Sequence, residues 1–210
     1  MRPKAILTSI LLMLATFVGL VIFWFTQKPT PSQFPDKPTL AEGQNPYADL
    51  FIPPFRLTDS TDTILDESIL DGQYTVIDFF YTSCPLICPG MSAAMKKIQD
   101  ETVGTNLKLM SISIDPEVDT PEVIANYSQA FKADPNRWRF TTGDTEMISM
   151  LLMGVKFDLG KLDTEDGFRN IDHPTTLILL GPDRHVVKLY RYSDPDQIAD
   201  LIKTARELAG

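Results

Sequence analysis

The two cysteines of this chain, Cys84 and Cys88, lie four residues apart and are the residues best suited to chemistry. Cysteine thiolates bind soft metals and attack disulfides. On a regular helix, residues four apart have Cβ atoms about 5–6 Å apart, whereas a disulfide brings its Cβ atoms to about 3.8 Å. The spacing therefore allows a clamp on a soft metal with little strain, and allows a disulfide if the first helical turn distorts. A metal site, a redox-active pair and a structural disulfide all remain open from the spacing alone.

If the cysteine pair holds a metal, copper is the better candidate. Zinc in proteins normally has four ligands, or three protein ligands and a water molecule. Two thiolates without further ligands suit Cu(I), which soft sulfur ligands select.

The residues around the cysteines predict that they lie at the edge of a sheet. Residues Tyr74–Tyr81 form an apolar run broken only by Asp78, which predicts a central strand buried on both faces. A helix is predicted over Met91–Asp100. A strand that leads directly into a helix places the joining residues at the carboxyl edge of a sheet, where open α/β folds gather their chemistry. The amide dipoles at a helix start also favour the thiolate form of cysteine.

The rest of the folded part alternates between strand and helix patterns. A short hairpin is predicted from Phe51 onward, and further strands are predicted at Leu107–Ile114, Arg137–Thr141, Thr176–Leu180 and Val186–Tyr190. Further helices are predicted from Thr120, at Asp144–Met153 and at Ser193–Leu208. This order predicts an α/β domain with a thioredoxin-like fold, in which a central mixed sheet is flanked by helices.

Three methionines form a stripe on one of the predicted helices. Met147, Met150 and Met153 recur at a spacing of three. Methionine can ligate Cu(I), but a stripe on an amphipathic helix more often packs in the core, and we predict core packing here.

The N-terminal segment predicts a membrane anchor and a tether. Ala5–Phe25 contains no charged residue and is long enough to span a bilayer core of about 30 Å. We predict an uncleaved transmembrane helix within residues 1–28, a Pro-rich tether over 29–46 and a folded domain over 47–210. A cleaved signal peptide is the alternative, which the length of the apolar run disfavours.

The charge of the chain excludes some partners. The net charge is −9, and the predicted anchor contributes only basic residues, so the folded domain is more acidic still. Such a surface does not favour binding of nucleic acid or of anionic lipid.

The two histidines differ in their surroundings. His185 lies in a polar turn between two predicted strands, as a solvated turn residue would. His173 directly precedes Pro174 at the start of a predicted strand. In thioredoxin-like folds the corresponding loop carries a cis-proline that faces the cysteine turn, so we expect a cis His173–Pro174 bond and His173 beside the cysteines. A loop histidine bonded to Asp172 is the alternative.

Four segments together resemble one known family. In order along Pro53–Leu208, YTSCPLICPGM, SISIDPEVDTPEVI, WRFTTGD and IDHPTTLILLGPD resemble the SCO/SenC family of membrane-anchored copper chaperones for cytochrome c oxidase. The resemblance implies that Cys84, Cys88 and His173 are copper ligands for Cu(I) or Cu(II), with Asp115 as a supporting acidic residue. It also implies that the partners are oxidase subunit two and other copper chaperones.

We therefore expect a copper chaperone rather than an enzyme. The main alternative is a thiol:disulfide oxidoreductase, with Cys84 and Cys88 as the redox pair, that reduces subunit two or another exported partner. A peroxidase is disfavoured because Tyr81 occupies the place where peroxiredoxins have threonine, and an inert disulfide domain is the least specific alternative. We expect the domain on the periplasmic side of a bacterial inner membrane, because no Arg- and Ser-rich transit peptide precedes the anchor.

Overall fold

The computed structural model of the chain describes residues 45–157, 171 and 173–210. The predicted anchor, most of the tether and most of the segment 155–171 lie outside these residues. Among the residues that are described, no helix is long and apolar enough to cross a membrane.

The described residues build a mixed β-sheet of seven strands. Its strands, in chain order, are β1 (Arg56–Asp59), β2 (Ile64–Asp66), β3 (Thr75–Phe80), β4 (Lys108–Ser113), β5 (Trp138–Thr142), β6 (Thr176–Leu180) and β7 (Val186–Arg191). Across the sheet the order is β2-β1-β5-β4-β3-β6-β7. Only the β3–β4 and β4–β5 pairs are parallel, and the other neighbours are antiparallel. The predicted mixed sheet is confirmed.

Strand β3 is the centre of the core. All six of its residues are buried, as the apolar run broken only by Asp78 predicted. It pairs with β4 on one side and with β6 on the other, so its backbone polar groups find partners in both directions. Its carboxyl end leads directly into the loop that carries both cysteines.

Four α-helices accompany the sheet in the described part of the chain. They are α1 (Ile87–Glu101), α2 (Pro121–Ala130), α3 (Thr145–Gly154) and α4 (Pro195–Ala209). The side chains of Thr120, Asp144 and Asp194 cap α2, α3 and α4 by accepting hydrogen bonds from backbone amides of the first turn. Helix α1 begins four residues before the predicted start, and its N-cap residue Leu86 makes no side-chain capping bond.

The helices cover the sheet from both sides. Phe80 contacts Tyr127 of α2, whose hydroxyl is bonded to Ser92 of α1, so α1 and α2 lie on the face of β3 that carries Asp78. Val155 and Phe157, which follow α3, line a groove with side chains of β6 and β7. The flanking helices of the predicted fold class are therefore present.

The prediction that the methionine stripe packs in the core is wrong for Met150 and Met153, whereas Met147 packs against the core at its edge. Met150 is 41% and Met153 63% exposed, and Met147 is only partly buried. The buried face of α3 consists of Ile148, Leu151 and Leu152. Each residue turns a helix by about 100°, so a spacing of three drifts by about 60° per step. The stripe therefore winds progressively away from the buried face.

The expectation of a cis-proline is also wrong. No peptide bond between described residues is cis, so the His173–Pro174 bond is trans. In the trans form the imidazole of His173 reaches the carbonyl oxygen of Pro174, with Nδ1 3.0 Å from it. This contact orients the ring instead.

Asp78 is a carboxyl group inside the core. Its side chain is fully buried in the middle of β3, where its Oδ1 accepts a hydrogen bond of 2.5 Å from the Ser111 hydroxyl. The Trp138 indole donates in turn to Ser111 Oγ at 2.9 Å. Burial raises the pKa of Asp78 to about 7, despite the hydrogen bond from Ser111.

Asp78 should make the stability of the domain depend on pH near neutrality. Because its folded pKa is raised, the protonated form stabilises the fold, and this contribution is lost as pH rises through about 7. We expect the free energy of unfolding, measured by urea denaturation, to fall by up to about 1.4 kcal/mol per pH unit between about pH 4, where an unfolded aspartate ionises, and about pH 7, and to level off above pH 7. Asp78→Asn should remove this slope.

The exposed turn residue Asp62 provides the control. Its backbone has φ 62°, a conformation that asparagine also tolerates, so Asp62→Asn should keep the wild-type pH dependence. Parallel stability curves for wild type and Asp78→Asn between pH 6 and 8 would contradict the assignment.

Candidate metal centre

Three soft or borderline ligands meet at the carboxyl end of β3. Cys84 Sγ, Cys88 Sγ and a ring nitrogen of His173 all lie within 4.8 Å of one another. The side chains are buried, at 7%, 0% and 5% exposure respectively. The structure therefore brings together the three residues that the resemblance predicted, although His173 follows the cysteines by more than 80 positions.

The sulfur of Cys84 lies at the start of helix α1. It accepts a hydrogen bond from the backbone amide of Cys88 at 3.4 Å, and also interacts with the amides of Leu86 and Ile87. Burial opposes ionisation, but these amides outweigh it and lower the pKa of Cys84 below its ordinary value. The sulfur of Cys84 thus accepts hydrogen bonds from the free amides of the first turn, which in other helices are capped by a polar side chain at the N-cap position, here Leu86.

Cys88 is in the opposite electrostatic situation. It lies in the first turn of α1 with no exposed surface. Burial raises the pKa of Cys88 far above its ordinary value, and the negative charges of Cys84 and Asp78 add to the effect. The site therefore holds one sulfur that ionises readily, that of Cys84, and one that keeps its proton until a metal or another electrophile replaces that proton, that of Cys88.

The imidazole of His173 is oriented for ligation. Its Nδ1 lies 3.0 Å from the carbonyl oxygen of Pro174. Because a carbonyl oxygen only accepts hydrogen bonds, Nδ1 carries the proton, and the lone pair is on Nε2. Nε2 is 3.5 Å from Cys88 Sγ. A backbone carbonyl that fixes the tautomer in this way is a common support for a metal-binding histidine.

Asp119 is a functional residue that sequence reasoning missed. Its carboxylate accepts hydrogen bonds from the backbone amide of Thr82 at 3.1 Å, from the Thr82 hydroxyl and from the Ser113 hydroxyl at 2.5 Å. It thereby fixes the cysteine loop to the end of β4. The signal was present, since Asp119 is the second aspartate of the DPEVD segment, but our interpretation chose the first.

Asp115, the predicted supporting residue, is buried in the loop that follows β4. Its carbonyl oxygen accepts hydrogen bonds from the amides of Val118 and Asp119, which closes this loop. A role of Asp115 in support of a metal stays a prediction.

Tyr81 was considered only as an argument against a peroxidase. It is buried, and its ring meets the ring of His173 edge to face, with centroids 5.5 Å apart. It is the last residue of the apolar run and lies three positions before Cys84, so its place in the sequence was the available signal.

His185 lies apart from the metal centre, as predicted. It is in the exposed turn between β6 and β7, where its ring lies against Phe51 and its Nδ1 is near Asp183. That turn is at the far end of β6 from His173.

The fold and the cluster of Cys84, Cys88 and His173 define a thioredoxin-like domain with a candidate site for a soft metal ion. The sequence profile of the SCO1/SenC family matches residues 43–209, so the chain belongs to the SCO1/SenC family. Protein SCO1 homolog 1, a mitochondrial protein of Arabidopsis thaliana, is 30% identical over 207 residues. That match covers 95% of this chain but 61% of the Arabidopsis protein, so this chain spans about three fifths of the length of that relative.

Solved structures share the fold. Copper-bound ScoI of Bradyrhizobium japonicum has a TM-score of 0.65 and 26% identity, over 74% of this chain and 99% of that one. BsSco, a member of the Sco family of cytochrome c oxidase assembly proteins in which a disulfide switch is identified, has a TM-score of 0.61 and 25% identity, over 76% and 95% of the two chains.

The contrast between the two sulfurs should appear as unequal reactivity in the reduced, metal-free protein. Cys84 has a lowered pKa and some exposure, whereas Cys88 has a raised pKa and none. We expect iodoacetamide to modify Cys84 at least about tenfold faster than Cys88 at pH 7, measured by mass spectrometry of peptides. Cys84 should still react with iodoacetamide at pH values below those at which ordinary cysteine thiols ionise. In denaturant the two rates should converge, and equal rates in the folded protein would contradict the assignment.

Loss of the Asp119 carboxylate should destabilise the domain. Asp119→Asn replaces one carboxylate oxygen with an NH₂ group, which cannot accept hydrogen bonds from the Thr82 amide and the Ser113 hydroxyl. We therefore expect the free energy of unfolding, measured by urea denaturation, to fall by about 2–3 kcal/mol. Asp62→Asn changes an exposed carboxylate in the turn between β1 and β2 and should have little effect. Equal stabilities of the two variants would show that Asp119 does not hold the loop.

Proposed function

We propose that this chain is a copper-binding chaperone that delivers copper to the copper centre of cytochrome c oxidase during its assembly. The observation that carries the proposal is the convergence of Cys84, Cys88 and His173 at one edge of the sheet. Membership of the SCO1/SenC family and the likeness to copper-bound ScoI support it.

The donor set fits copper in both oxidation states. Two thiolates and one imidazole form a trigonal set that suits Cu(I), and an added oxygen or solvent ligand would complete a site for Cu(II). Here Cys84 offers a thiolate in advance, Cys88 releases its proton when the metal binds, and His173 presents the lone pair of Nε2. Metal binding should therefore release protons.

The position of the site supports transfer to another protein. The ligand atoms are buried, but the loop between the cysteines is on the surface, where Leu86 is 82% exposed. A partner can approach along this loop and displace the ligands one at a time with its own soft donors. Copper would then pass between proteins without being released as a free ion.

We further propose that the domain, residues 47–210, acts close to a membrane. Residues 1–28 would anchor it in a bacterial inner membrane, with residues 29–46 as a tether and the domain on the periplasmic side. The uncharged run Ala5–Phe25 supports this arrangement. Oxidase subunit two is the proposed acceptor, and other copper chaperones are the proposed donors. The assignment of BsSco to oxidase assembly supports this choice.

A second function, thiol–disulfide exchange, is favoured by the unequal thiols. Cys84 and Cys88 are both free and close together. The Cys84 thiolate would attack a partner's disulfide and release one thiol. The sulfur of Cys88 would then attack Cys84, release the second thiol and leave a Cys84–Cys88 disulfide. The disulfide switch identified in BsSco supports this alternative.

Copper binding to the reduced, full-length chain tests the leading proposal. We expect one copper per chain, with binding abolished in Cys84→Ser and Cys88→Ser and weakened roughly tenfold or more in His173→Ala. Affinities for Cu(I) and Cu(II) are measured separately by competition with chelators. His185→Ala, a change of the exposed histidine, should bind as wild type does.

Two results would contradict the proposal. The first is the absence of copper binding, and the second is binding that does not depend on the cysteines. If the chain binds no copper but reduces a partner's disulfide and forms a Cys84–Cys88 disulfide in return, thiol–disulfide exchange becomes the function.

A further inference from the structure

One residue touches all three proposed ligands. The backbone carbonyl of Tyr81 accepts a hydrogen bond from the amide of Cys84 at 3.3 Å, and the amide of Tyr81 interacts with the sulfur of Cys88. Its ring lies edge to face with that of His173 at an interplanar angle of 90°. With 1% exposure, the side chain has no freedom to leave this position.

The hydroxyl group of Tyr81 joins the two loops of the site. The backbone amide of Ile171 donates to the hydroxyl oxygen, at 3.4 Å, and the hydroxyl also interacts with the side chain of Cys84. An amide can only donate, so the oxygen of Tyr81 accepts from Ile171 and its own hydrogen is free to donate to the sulfur. The hydroxyl thus holds the loop of His173 against the loop of Cys84.

A hydrogen bond to a ligating sulfur changes how that sulfur binds copper. It withdraws electron density from the thiolate, which weakens the bond to the more highly charged Cu(II) more than the bond to Cu(I). In the dry surroundings of this site the effect is not screened by water.

We propose that Tyr81 is a positioning residue whose hydroxyl group, bonded to Cys84 Sγ and to the amide of Ile171, biases the site toward Cu(I) over Cu(II). This inference rests on the proposed copper-binding function and adds to it a residue that sets the preferred oxidation state. It gives the chain a reason to carry a tyrosine where a phenylalanine would fill the same space.

Tyr81→Phe tests the inference because it removes only the hydroxyl group. The ring that packs against His173 is kept, so the variant should fold. We expect the ratio of the Cu(II) affinity to the Cu(I) affinity to rise at least about fivefold, and the sulfur-to-Cu(II) charge-transfer band to shift. In the metal-free protein, amide hydrogen exchange at Ile171 should become at least about tenfold faster, because its acceptor is lost.

Tyr127→Phe is the matched control. The hydroxyl of Tyr127 is bonded to Ser92 Oγ at 3.1 Å, and its ring also packs in the helix-covered layer beside Phe80. This variant should change neither the affinity ratio nor the exchange of Ile171. This variant shows the effect of losing a tyrosine hydroxyl that lies near the site but contacts none of the proposed ligands.

The outcomes separate this inference from the proposed function. Suppose that wild type binds copper. An affinity ratio that is unchanged in Tyr81→Phe, or that changes equally in Tyr127→Phe, would then overturn the role of Tyr81 and leave the proposed function standing. Absence of copper binding in wild type would overturn both. A raised ratio together with faster exchange at Ile171, in Tyr81→Phe only, is the supporting result.

Discussion

The pairing of β3 with strands on both of its sides is the constraint on which the site depends. The parallel partner β4 ends beside it and continues into the loop of Asp119, which is bonded to Thr82 of the cysteine loop. The antiparallel partner β6 begins at the same edge, so the residues before it, including His173, return to the end of β3. Two thiols and an imidazole from distant parts of the chain meet there because three strands are held in register.

The same burial that stabilises the sheet sets the electrostatics of the site. Cys88 and Asp78 are removed from water and their neutral forms are favoured, whereas the first amides of α1 stabilise a thiolate at Cys84. A single helical turn thus separates two sulfurs of opposite tendency. This arrangement suits the proposed copper chaperone, which would have to bind its ion firmly and yield it to a partner. The same arrangement suits disulfide exchange, the proposed alternative.

The sequence by itself determined the elements and the chemistry they carry. The apolar run before the cysteines, broken only by Asp78, predicted a strand buried on both faces, and the helices predicted from Thr120, Asp144 and Ser193 begin within two residues of those positions. The spacing of the cysteines and the late histidine, read with the family resemblance, predicted the ligand set that the fold brings together. These signals are local, because burial patterns, capping residues and motifs are written in neighbouring positions.

The tertiary structure alone decided how the ligands are held. Helix α1 begins before its predicted start because a sulfur, rather than a capping side chain, binds its first amides. Asp119 holds the cysteine loop through a bond that spans 37 positions, and Cys88 meets His173 across 85 positions. Local patterns carry no information about such contacts, since the register of the sheet sets them.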